Sequence, residues 1–235
     1  AFQITRDEQD QFAFNSQRKA GEAMAAGRFA DEIAPVTVKG RKGDVVVSSD
    51  EYPKPDTTME ILGKLRPAFA KDGSVTAGNA SGINDGAAAM VLMRQSAANQ
   101  LGCKPLARIV SHATHAQAPE WFATAPVGAT QKALSKAGWQ VKDVDLWEVN
   151  EAFAVVPMAL MKERNVPHDK VNVNGGAWAL GHPIGASGAR ILVTLIHAVI
   201  CISLKANQIA SGLALALFGT GLSGVFGDKF TGQTI

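Results

Sequence analysis

Apolar and polar positions change period several times along the chain, and each change marks an element. Thr5-Arg6-Asp7-Glu8 reads as a capping box, in which the Thr5 hydroxyl and the Glu8 carboxylate satisfy each other's backbone amides. The helix it opens runs towards Gly27, with Phe12, Ala13, Ala20, Ala23 and Met24 available for one apolar face. Residues 31–49 alternate and turn around Gly40 and Gly43, which predicts two short strands. Residues 50–56 hold Pro53 and Pro55 and are expected as extended loop. A short helix over 57–65 stops ahead of Pro67. The small-residue tract 76–85 (TAGNASGIND) precedes an apolar run over 86–93, which reads as a buried strand. Residues 94–102 form a short helix and linker. From Pro105 the pattern alternates: strand 107–113, helix 127–137, strand 146–149, helix 152–163, strand 170–173, a glycine-rich loop, a helix from about 186 to 204, and a last strand 213–218. Strands alternating with helices predict a wound α/β sheet.

The glycine-rich loop, residues 174–190 (NGGAWALGHPIGASGAR), carries the densest chemical information. Glycines let backbone approach backbone or ligand where a Cβ would collide. His182 sits between Gly181 and Pro183, so its ring is held on a rigid turn. The residue types allow two readings. One is a turn with a buried, satisfied histidine; the other is a fixed imidazole suited to acid–base or oxyanion chemistry. Asn150, in NEAFA at residues 150–154, closes a strand and opens a helix, where wound sheets place ligands. It can cap that helix or offer its amide to a water or carbonyl.

Bulk composition narrows the classes. At 46% hydrophobic and 19% charged residues, the 235-residue chain reads as globular α/β rather than disordered. A net charge of +2 gives no reason to expect nucleic acid as a partner, and the basic run 39–43 reads as a solvated hairpin turn. Cys103 and Cys201, the two cysteines, make no disulfide framework and no metal spacing. With no signal-peptide pattern at the start, they lead us to expect a cytoplasmic protein. The longest apolar run, 191–204, falls short of the ~20 residues of a membrane span, so no membrane partner is expected. GTGLSG at 219–224 matches G-x-G-x-x-G after an apolar strand, but no helix and no acidic residue follow as a dinucleotide site requires. His112 and His115 lack further ligands and read as surface or packing residues.

NEAFA, then NGGAWALGHPIGASGAR, with TAGNASGINDGAAA far upstream, resembles the thiolase family when taken in this order. APVGATQKALSKAGW and DVDLWEVNEAF resemble it too. The resemblance runs from about Thr5 to Gly212 and is nearest to the biosynthetic branch. It implies the layered αβα thiolase architecture. Residues 1–74 would be the remainder of a loop domain, 75–103 the last strand and helix of a first half, and 104–235 a C-terminal domain with an atypical tail. It implies acyl transfer between CoA thioesters, joining two acetyl-CoA molecules into acetoacetyl-CoA or the reverse. CoA and acetyl-CoA would be the ligands, and no cofactor or metal is expected. His182 matches the histidine that activates a nucleophilic cysteine and helps form an oxyanion hole, both sound roles for a fixed imidazole. Asn150 matches the residue holding that hole's water. Ser81, Phe69 and Phe153 match contacts to the pantetheine arm, and Lys54 falls where an arginine often lies near the nucleotide. Gly219 falls where a backbone amide completes a second oxyanion hole.

The departures matter equally. The family's nucleophilic cysteine belongs to a region with no counterpart here, and neither Cys103 nor Cys201 lies in a matching context. Leu217 stands where the family has its second cysteine. Beyond Arg190 the chain is longer than the family pattern and reads VICISLKANQIAS. The expectation is therefore a thiolase-type chain that is catalytically incompetent alone. The alternatives are a non-catalytic CoA or acyl-CoA binding module, or a truncated gene fragment. The helix after Ala186, with Ile191, Leu192, Val193, Leu195 and Ile196, is expected to be exposed for want of an opposing half. The partner would then be a second copy of the chain or a complementary first-half polypeptide.

Overall fold

A computed structural model describes residues 2–203. Helix α1 (Arg6–Ala25) begins at the expected capping box: Glu8 N donates to Thr5 Oγ1 at 3.2 Å and Thr5 N to the Glu8 carboxylate at 2.6 Å. Strands β1 (Val36–Val38) and β2 (Val45–Val47) pair antiparallel around the solvated turn at Gly40 and Gly43. The remaining helices are α2 (Met59–Gly63), α3 (Gln95–Gln100), α4 (Ala125–Ala137), α5 (Val155–Arg164), α6 (Ala177–Leu180) and α7 (Ser187–Ser203). Helix α4 ends where predicted, because Gly138 takes a left-handed φ of 71° that an L side chain rarely adopts.

Two apolar clusters hold these pieces. One joins α4 and α5 through Val127, Leu134, Val156 and Leu160 to Trp147, Val149 and Val171. The other joins α1, α2 and α6 through Ala13, Ala20, Leu62, Trp178 and Leu180. Small residues on α1 allow close approach: a Cβ at Gly175 would fall 2.7 Å from that of Ala20 and 2.8 Å from the Ser16 carbonyl. Asn79 ties the tract 76–85 to α1, donating to Asp10 Oδ1 and to the Ser74 carbonyl, each at 2.9 Å, while Asp10 pairs with Arg6.

Several expected strands are corrected. Residues 146–149 and 170–173 do run parallel, with a bridge between Trp147 and Val171, but the contact is too short to extend into strands. Residues 86–93 and 107–113 form no strand and make no backbone–backbone hydrogen bond to any described residue. A strand exists only through its ladder, and an apolar alternation supplies no partner by itself. Most of those residues are not buried either: Val91 is 85% and Ile109 52% exposed, with Ala113 alone buried. The apolar face of α7 is corrected in the other direction. Ile191, Thr194, Leu195 and Ala198 are buried and Leu192, Val193 and Ile196 half-buried, with Thr194 donating to Glu32 at 2.9 Å. The helix has found cover inside this chain. The strand expected over 213–218, together with Leu217 and Gly219, lies outside the described residues, as does the Cys201 side chain.

Candidate functional site

The tract 79–83 is the spine of the site, flanked by two other pieces of chain. On one side Ser81 N donates to the Ala152 carbonyl at 3.0 Å and Ala154 N to the Asn79 carbonyl at 2.9 Å. On the other, His182 N donates to the Gly82 carbonyl at 3.3 Å and to Asn84 Oδ1 at 3.1 Å. These bonds explain why α5 starts at Val155 rather than near residue 152: the backbone before it is committed sideways to the tract. They also settle the role left open for Asn150. It does not cap α5, whose N-cap is Ala154 without a side-chain bond.

Asn150 instead faces His182. Its Nδ2 lies 3.3 Å from His182 Nε2. On the other ring edge, His182 Nδ1 is 2.6 Å from Ser187 Oγ, which donates its one hydrogen to the Pro183 carbonyl at 3.0 Å. With that hydrogen on Pro183, Ser187 accepts from Nδ1–H, the tautomer that leaves the lone pair on Nε2, facing the Asn150 amide. Burial, then the Arg190 guanidinium, holds the His182 pKa below the ordinary histidine value. The imidazole is therefore neutral near pH 7 and basic at Nε2. Asn150 Oδ1 is buried with no hydrogen-bond partner among the described residues, an open acceptor on the same amide.

Of the other predicted residues, Ser81 and Phe153 lie on the two segments bridged beside this pair, while Phe69 and Lys54 are set by contacts of their own. The Ser81 hydroxyl donates to the Ala152 carbonyl at 3.0 Å. The Phe153 ring packs edge-on against Phe69 and Phe122, with centroids 6.3 and 5.8 Å away; Phe69 is itself 78% exposed. Lys54 is exposed and sits over Tyr52 at 5.1 Å, and a Cβ at Gly82 would collide with the Tyr52 ring. Cys103 is exposed, with its thiol 4.0 Å from the Leu101 carbonyl.

The chain belongs to the thiolase family. One family model, described as thiolase, C-terminal domain, matches residues 103–224, and another, thiolase, N-terminal domain, matches residues 1–96. The acetyl-CoA acetyltransferase of Rhizobium meliloti is 53% identical over 94% of this chain, and that of Escherichia coli 56% identical over 93%. The chain spans 55% and 54% of those relatives, about half of their length. Among solved structures, Bacillus anthracis acetyl-CoA acetyltransferase is similar with a TM-score of 0.84 and 48% identity, over 86% of this chain and 51% of the other. Human mitochondrial 3-ketoacyl-CoA thiolase gives 0.77 and 42%, over 85% and 51%. Among the described residues no helix is long and apolar enough to cross a membrane.

Reading from sequence misses the groups that support the pair. Ser187 carries a weak signal, a hydroxyl at the start of an apolar helical run. Asn84 carries none, because its role depends on a tertiary contact. A buried charged layer was likewise invisible: Glu148 and Glu151 are 3% and 1% exposed. Burial pushes the Glu148 carboxyl up to about 8, opposed by Arg190 and reinforced by Glu151 and Glu32. A raised carboxyl pKa favours the protonated native state. Its contribution is complete below the unfolded value near 4.5 and lost as pH rises through about 8. Glu148→Gln copies the protonated form, so its melting temperature relative to the parent chain is expected to rise from pH 5 to pH 8. Thermal melts at both values check this; an equal difference at both would show that Glu148 ionises freely in the native state.

Proposed function

We propose that this chain supplies the histidine side of a thiolase acyl-transfer site acting on CoA thioesters, with acetyl-CoA and acetoacetyl-CoA as its substrates. The observation supporting this most directly is the Asn150 amide set against the unprotonated Nε2 of His182, beside the Ser81–Phe153 strip. In such a site Nε2 takes the proton of a thiol, and the thiolate attacks the thioester carbonyl. As the tetrahedral adduct collapses, CoA thiolate leaves and recovers a proton. Once protonated, Nε2 no longer accepts from Asn150, so the freed Asn150 amide and the new Nε2–H can donate together to a developing oxyanion. The open Asn150 Oδ1 suits a bound water in the same place. Ser81, Phe69 and Phe153 would line the pantetheine arm, and Lys54 would approach the nucleotide end. Gly219 is assigned to the second oxyanion hole by resemblance alone.

The test is CoA binding followed at the site itself. With Phe69 exposed, the arm is only partly removed from water. Binding is expected to be weak, with a Kd on the order of 1 mM in calorimetry. Acetyl-CoA should move the His182 ring signals in NMR, and Ser81→Trp should abolish that movement. A sub-micromolar complex that Ser81→Trp leaves intact would place the ligand elsewhere and end this reading.

A further inference from the structure

Asn150 and His182 belong to different loops, yet their contact demands that both be held to within a few tenths of an ångström. Side-chain hydrogen bonds from two further buried residues do the holding. Asn172 grips the backbone just ahead of Asn150 from both sides: its Oδ1 accepts from Val149 N at 2.7 Å and its Nδ2 donates to the Val149 carbonyl at 2.8 Å. The same Nδ2 donates to Glu151 Oε1 at 2.7 Å. Glu151 Oε2 then reaches the loop that carries His182, accepting from Trp178 N at 3.2 Å and from the Ser16 hydroxyl at 2.6 Å. Ser16 Oγ accepts from Gly176 N at 3.1 Å. A Cβ at Gly176 would lie inside the Glu151 carboxylate, so the glycine is what lets the loop close on it.

Two features separate this from ordinary core polarity. Asn172 is held at a φ of 46°, a left-handed backbone that Asn tolerates better than most residues and that persists only where surroundings over-determine it. Both Asn172 and Glu151 are 1% exposed, so every bond they make is protein to protein in a region without water to replace it. We propose that Asn172 and Glu151 are positioning residues for the Asn150–His182 pair, fixing the two loops in register so that the Asn150 amide meets Nε2. This rests on the reading of that pair as the reacting site. The residues act through the backbone and touch no substrate.

The experiment follows the His182 ring by 15N NMR in the 235-residue chain. Asn150→Ala provides the reference for a ring that has lost its amide donor. Asn172→Ala is expected to move the Nε2 shift at least half-way to that reference, with the fold retained by amide dispersion. Leu134→Ala, a core truncation in the α4–α5 cluster, is expected to destabilise the chain and leave the shift in place. If Asn172→Ala does not fold, Ser16→Ala interrupts the same path at a smaller side chain and is expected to move the shift in the same direction. A folded Asn172→Ala or Ser16→Ala variant with a parental Nε2 signal overturns the positioning role. If Asn150→Ala itself leaves Nε2 unchanged, the pair is not formed, and the proposed function falls together with this inference; a shift moved by Asn150→Ala but parental in the folded Asn172→Ala or Ser16→Ala variant overturns this inference alone.

Discussion

The 235-residue chain by itself is expected to give no thiolysis of acetoacetyl-CoA above a buffer blank. Acyl transfer through a covalent intermediate needs a thiolate within reach of the base. His182 is set as a neutral base, yet Cys103 is exposed with its thiol near its own backbone, and the resemblance implies a leucine, Leu217, in place of a second cysteine. Without the covalent path the reaction falls back on orientation and an incomplete oxyanion site. The expected loss against a complete thiolase is at least ~10⁴-fold, or more than about 5 kcal/mol in the barrier. A coupled assay monitoring disappearance of the acetoacetyl-CoA enolate decides the matter. Turnover that vanishes in His182→Ala would mean that a thiol from elsewhere in the chain reaches the site, and would refute the expectation. Activity that survives in that variant would belong to a contaminant.

The second large effect concerns association. Val91, Leu92 and Leu106 are all at least two-thirds exposed, and they lie in or beside segments whose backbone has no ladder partner among the described residues. Soluble monomers rarely expose contiguous apolar patches beyond a few hundred Å². At about 25 cal/mol per Å², covering such a patch is worth several kcal/mol to any partner. Unpaired backbone alongside makes strand addition the natural mode. The chain is expected to self-associate, or to bind a polypeptide resembling the half of its relatives that it does not span. Light scattering behind size exclusion should show species larger than one chain at tens of micromolar, and Val91→Lys with Leu106→Lys should reduce them. A monomeric parent chain that binds no apolar dye would show that the patch is covered from within.

The family was legible before any coordinates because its motifs are local strings. GHP, NEAFA and NASG can each be read from a few consecutive residues, and their order along the chain survives whatever the fold does. The same locality explains why the capping box at Thr5, the hairpin around Gly40 and Gly43 and the end of α4 at Gly138 were readable: a cap, a turn or a left-handed residue is decided within a few positions.

The strands over 86–93 and 107–113 show the limit. Their apolar character is genuine, but pairing is a property of two segments, and one segment cannot state whether the other is present. Burial was misread in both directions for the same reason: α7 looked uncovered yet Ile191, Leu195 and Ala198 are buried, while 86–93 looked buried and is largely exposed. The site divides likewise. His182, Asn150, Ser81 and Phe153 were nameable from their motifs. That Asn150 serves the imidazole rather than capping α5, that Ser187 determines which ring nitrogen stays basic, and that Glu151 and Asn172 lock the two loops were decided only in three dimensions. Each depends on hydrogen bonds whose partners are set by how the chain packs. Glu151 and Ser16 lie 135 residues apart in sequence and 2.6 Å apart in the fold, and no local pattern encodes that contact.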